Sequence, residues 1–208
     1  MKPDLMALAE EERTDLLALL EGLTDERWNA QSLCMKWRVR ELATHIVSYD
    51  ELSALTTVGT FIRAGLRING VNAVALQRYR DLEPSAIIDL LRRNLRPSGL
   101  PKGFGGGIAL TDGTIHHQDI RRALNLPRTI PEHRLTPVLD FALGAPTLPA
   151  KKNAKGLSLN ATDIDWSSGE GREVSGAGEA LLMTIAGRPA PLDELSGPGL
   201  ATLRQRVI

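Results

Sequence analysis

Asp112 and His116 stand four residues apart in the segment Thr111-Asp112-Gly113-Thr114-Ile115-His116-His117-Gln118-Asp119. On a helix this spacing puts a carboxylate and an imidazole on adjacent turns of one face, within reach of a common cation. A third donor must come from another element, and His45 is the candidate if its helix faces this one across a bundle. Three protein ligands with an open fourth position describe a catalytic zinc rather than a structural one. The same residues admit a plainer reading. Aspartate–histidine pairs at this spacing also arise in helices that bind nothing, and a single helical histidine such as His45 often packs in a core. Asp119, three residues beyond His116, could orient that imidazole from behind or pair with Arg122 at the surface.

The remaining reactive residues carry weaker signals. His117 points about 100° away from His116 and is expected to be solvated or part of a helix contact. His133 falls in a Pro-bounded loop, where no catalytic role is expected. The run Lys102-Gly103-Phe104-Gly105-Gly106-Gly107 is glycine-rich, but no strand precedes it and no Gly-Lys-Ser/Thr follows. A lid or plain connector therefore fits better than a phosphate loop. Cys34 has no evident partner or helix N-terminus, which suits a small buried residue rather than a nucleophile. Arg188, between Gly187 and Pro189, is either an anion-binding cation or a surface arginine in a turn. Arg63, Arg67, Arg78 and Arg80 are candidate carboxylate clamps or solvated helix faces.

These residues need helices to position them. Leu5, Leu8, Ala9, Leu16, Leu19, Leu20 and Leu23 recur at spacings of three and four, so a helix is expected over 4–23, with a short turn at Trp28. A second helix is expected over 37–54, with Trp37, Leu42, His45, Ile46 and Tyr49 near one face. A third spans about 52–75, interrupted at Asn69-Gly70. Glu83-Pro84-Ser85 opens a fourth, and 97–107 is a loop by composition. Helix resumes over about 108–124. A last, shorter helix is expected over 137–143, with Thr136 as N-cap and Gly144 as its stop. This pattern predicts a mainly α chain, an up-and-down four-helix bundle with additions, over 1–145.

The character changes at Ala145. Residues 146–156 read as a linker, 157–161 alternate like a strand, 166–171 form a turn, and 177–185 form a helix. The 146–208 piece is expected to be a small α/β domain, too short to bury a large core alone and therefore docked on the bundle.

Composition narrows the function. Lys plus Arg total 25 and Asp plus Glu total 25, so the chain carries no net charge. The balance is 18 against 18 before Pro146 and 7 against 7 after it, without the basic excess that nucleic-acid binding requires. Aromatic residues are 4%, so the core must be aliphatic, which favours helices. No apolar run approaches the roughly 18–20 residues of a membrane span. Acidic residues soon follow the N-terminus where a signal peptide would be apolar. One cysteine permits no internal disulfide. A cytoplasmic protein that binds neither nucleic acid nor membrane is expected.

Cys34, Trp37, Val39, Glu41, Leu42 and His45 fall in the pattern Cys-x-x-Trp-x-Val-x-Asp/Glu-Leu/Val-x-x-His, which resembles the first signature of the mycothiol-dependent maleylpyruvate isomerase family. Asp112, His116 and Asp119 resemble its second, Glu-x-x-x-His-x-x-Asp. The stretch Ala161-Thr162-Asp163 with Trp166, Gly176 and Ile185-Ala186-Gly187-Arg188 is similar to its C-terminal domain. The resemblance implies a DinB-like metal-binding helical bundle followed by a small α/β domain. It also implies a divalent metal, zinc foremost, on His45, Asp112 and His116, and a thiol-site role for Arg188. Aspartate replaces the family's glutamate at 112, so its shorter side chain must sit closer to the metal or reach it through water. The implied chemistry is activation of a small-molecule thiol, mycothiol, by the metal. The thiolate then adds to a cis double bond, followed by rotation and elimination, or the thiol is transferred to an electrophile. Partners would be that thiol and an electrophilic or unsaturated substrate, on a monomer or homodimer. Two other readings stay open: a metal-dependent hydrolase on the same bundle, and a non-catalytic binding module.

Overall fold

The computed structural model describes residues 3–35, 37–50 and 82–208, and elements are numbered over these. The expected helix over 52–75 and the candidate clamps Arg63, Arg67, Arg78 and Arg80 lie outside the described residues. The chain divides into two compact units, Met1–Pro127 and Arg128–Ile208.

In the first unit the helices are α1 (Leu5–Glu21), α2 (Asp25–Asn29), α3 (Val39–Ser48), α4 (Pro84–Arg93) and α5 (Gly107–Ala123), with a 3-10 segment at Leu100–Gly106. Their ends follow local chemistry. The Asp4 carboxylate accepts from the Met6 and Ala7 amides to start α1. The Glu41 carboxylate accepts from the Arg38 amide at 2.6 Å to start α3. Pro84 occupies the first turn of α4, where its missing N–H costs nothing, and Arg92 and Arg93 sit in its last turn.

Helix α1 packs on α4 and α5, and α3 packs on the same two, so the four close a ring. Inside it lie Leu16, Leu20, Val39, Leu42, Ile46, Ile87, Leu91 and Ile120. Gly106, at φ 97° just before α5, lets the chain pass close to α1, since a Cβ there would come within 2.8 Å of the Met6 Cα. Two buried charges of α1, Glu12 and Arg13, interrupt the apolar pattern. The Arg13 guanidinium pairs with Asp50 at 2.9 Å, just beyond the C-terminus of α3. The other oxygen of that carboxylate accepts from Arg13 and from the Ser98 amide.

The second unit contains α6 (Glu132–Gly144), α7 (Ala150–Ala154), β1 (Leu157–Ala161), β2 (Ser167–Ser168), β3 (Arg172–Gly176), α8 (Gly178–Ile185), a 3-10 segment at Ala190–Glu194 and α9 (Leu200–Val207). The sheet order is β2-β1-β3, with β2 antiparallel and β3 parallel to β1. Leu157 and Leu159 pair with Arg172 and Val174, and the apolar helix α8 packs on β1 and β3. The Asp163 carboxylate accepts the Gly178 amide at 2.7 Å, which satisfies one of the free donors at the start of α8.

The chain is thus a helical bundle with a small α/β C-terminal domain. Several boundaries differ from those expected. Helix α6 starts at Glu132 rather than after Thr136, lies in the second unit, and carries Pro137 inside it. It therefore holds His133 in its first turn, not in a loop. The expected linker contains the short helix α7, and β3 and α9 were not foreseen.

Candidate metal site

His45 lies in α3 and Asp112 and His116 lie one turn apart on α5, so the α3–α5 contact brings all three together. The Nε2 atoms of His45 and His116 stand 3.8 and 3.5 Å from the two oxygens of Asp112. The ligand atoms of the trio lie within 4.8 Å of one another. Three atoms bound tetrahedrally at about 2.0–2.1 Å are about 3.3–3.4 Å apart, so small side-chain adjustments suffice to close this set on a zinc-sized ion. Both imidazoles are buried, whereas the Asp112 side chain is 46% exposed, so the site opens on the aspartate side.

The two histidines are held differently. Ionised carboxylates only accept, so His116 donates Nδ1–H to Asp119 at 2.9 Å, and its Nε2 lone pair is directed at the trio. Asp119 is fully buried, where it accepts this bond from within the bundle. His45 has no such support, because its buried Nδ1 has no hydrogen-bond partner among the described residues. Its ring is fixed by aromatics: Trp37 lies 4.6 Å away at 36°, Tyr49 5.6 Å away edge-on, and His116 5.1 Å away edge-on. Burial lowers the His45 pKa to about 4, against an upward pull from Asp112 and with a further downward push from His116. The neutral imidazole that a cation requires is therefore its resting form. Burial, with Asp112 nearby, pushes the Tyr49 phenol well above its ordinary range. Nitrogen donors with available lone pairs, beside one carboxylate, fit a divalent cation of the zinc type.

Other reactive residues are accounted for separately. His117 is not solvated. It is sealed inside the bundle, where it receives Arg121 Nε–H on Nε2 at 2.8 Å and donates Nδ1–H to Glu12 at 2.7 Å. The Lys102–Gly107 run holds a kink, with Gly103, Phe104 and Gly105 outside helical conformation and Phe104 exposed. Arg188 lies in the second unit, with one guanidinium nitrogen donating to the Ala186 carbonyl. Cys34 is half-buried, and its sulfur joins His116 and Asp119 in a group whose ligand atoms lie within 4.8 Å. That neighbourhood was not foreseen, since it is made by a backbone contact, Leu33 N–H to the Asp119 carbonyl at 3.2 Å. Nothing local in the sequence signals it.

Residues 9–98 match the family model of the mycothiol maleylpyruvate isomerase N-terminal domain. No curated protein matches by sequence. The fold is similar to the crystal structure of the mycothiol-dependent maleylpyruvate isomerase and to that of a histidine-to-alanine variant of it. Both have a TM-score of 0.57 at 15% identity, over 95% of this chain and 96% of that one. The family-model match thus covers somewhat less than half of the chain, and the likeness in fold extends over nearly all of it.

Proposed function

We propose that His45, Asp112 and His116 hold a divalent metal, zinc foremost, and that the chain is an enzyme using mycothiol for isomerisation or thiol transfer. The observation that carries this reading is the convergence of three donors from two helices, with the second nitrogen of His116 committed to a buried carboxylate. A cation bound there would lower the pKa of a coordinated small-molecule thiol and supply thiolate at neutral pH. Asp119 keeps the His116 lone pair on the correct nitrogen. Burial keeps His45 unprotonated, and Asp112 contributes the negative charge and the accessible side. The Trp37 and Tyr49 rings wall the imidazoles and keep water from them. The match of residues 9–98 to the mycothiol maleylpyruvate isomerase N-terminal domain supports the thiol, and Arg188 is proposed as an anion-binding cation.

The test is metal content on protein purified without a metal-affinity tag, with turnover assayed with and without mycothiol. The wild type should carry about one divalent metal per chain, and His116→Ala should lose metal and thiol-dependent turnover together. A metal-loaded, active His116→Ala variant would remove His116 from the site. Activity that survives complete removal of thiols would favour the hydrolase instead. A wild type that takes up no metal would leave a binding module.

A further inference from the structure

His116 belongs to two donor groups at once. Its Nε2 faces Asp112 at 3.5 Å and its Nδ1 faces Asp119 at 2.9 Å, and ligand atoms of Cys34, His116 and Asp119 lie within 4.8 Å of one another. The second group draws on two elements, the segment carrying Cys34 and helix α5. They are fastened together by the Leu33–Asp119 backbone bond, and the Ser32 hydroxyl accepts the Cys34 amide at 3.1 Å. Asp119 and His116 are buried and Cys34 is half-buried, so the sulfur is the side from which an ion would enter.

We infer that Cys34, His116 Nδ1 and Asp119 form a second cation site, suited to soft thiophilic divalent ions of the cadmium class. The argument is one of donor chemistry. Thiolate selects soft ions, and the His45–Asp112–His116 group contains no sulfur. Thiolate and carboxylate together bring two negative charges against a divalent ion, where the other group brings one. Binding releases the Cys34 thiol proton to solvent and shifts the imidazole proton of His116 from Nδ1 to Nε2. A neutral imidazole has a single lone pair, so an ion held on Nδ1 withdraws His116 from the other group, and the two do not fill together. This site stands whether or not the chain uses mycothiol.

The probe is cadmium alone, titrated into the metal-free full chain and followed by ultraviolet thiolate-to-cadmium absorption. Cys34 is the only cysteine, so any such band reports on it. The band should saturate at one ion per chain in the wild type. It should persist in Asp112→Asn, with an apparent affinity no lower than in the wild type because the competing group is weakened, and vanish in Cys34→Ser. In Asp119→Asn the affinity should fall at least about tenfold. X-ray absorption of the cadmium-loaded wild type, which needs no variant, should show one sulfur and one imidazole around the ion. Absence of the band in the wild type would overturn the site. So would undiminished affinity in Asp119→Asn, or a shell without imidazole, since either means that the thiol binds cadmium by itself. Two ions bound per chain would overturn the exclusion between the groups.

Discussion

His116 Nδ1 donates to Asp119 Oδ2 across 2.9 Å, and the accepting side chain is sealed from solvent. The bond fixes both the rotation of the ring and which nitrogen keeps its lone pair. Because both residues lie on α5, three apart, the support moves with the ligand whenever the helix shifts. Asp119→Ala should therefore weaken zinc binding by about 10–100-fold, as losses of such partners do elsewhere. Competition with a chromophoric chelator measures it. An unchanged affinity would mean that packing alone orients His116.

His45 yields a prediction for the metal-free chain. Burial depresses its pKa to about 4 from an ordinary 6.5. The unfolded chain therefore binds more protons than the folded one between those two values. Stability is fully present above about pH 6.5 and is lost as the pH falls, levelling off below about 4; for one group the total is about 3 kcal/mol. Carboxylates titrate in the lower part of the same window, so the informative comparison is with His45→Gln. Urea unfolding in the presence of a chelator should show the wild type losing more stability than this variant between pH 7 and 5. Equal losses would mean that His45 is readily protonated in the fold.

How far the sequence discloses the site depends on how local the determinants are. Helices α1, α4 and α5 were legible because caps and periodicity are local: Asp4, Pro84 and the aliphatic spacing each act within a turn. The pairing of Asp112 with His116 was legible for the same reason, and His45 followed from the bundle. The start of α6 was misread because Thr136-Pro137 imitates a helix start, whereas the chain enters at Pro131 and tolerates Pro137 in the second turn. Strand β3 was missed because only Val174 of its five residues is buried, and its partner lies fifteen residues earlier in parallel register. Cys34 beside Asp119, and Glu12 bonded to His117 across 105 residues, are products of packing with no local signature.

The pair of Arg13 and Asp50 was equally invisible in the sequence, and it holds the end of α3 that leads away from His45. The guanidinium spans both carboxylate oxygens at 2.9 Å and also donates to the Ile46 and Asn94 carbonyls, while the carboxylate accepts the Ser98 amide. The side chains are 2% and 0% exposed, so neither charge can be repaid by water if its partner is removed. Asp50→Ala should cost about 3–5 kcal/mol, as breaking buried pairs does. Replacing both residues by apolar ones of similar size, Arg13→Met with Asp50→Leu, removes the uncompensated charge and should cost less than the single change. Denaturant unfolding of the single and double variants at pH 7 decides it. If the double variant is the less stable by the sum of both single losses, the pair acts through independent hydrogen bonds rather than through mutual neutralisation.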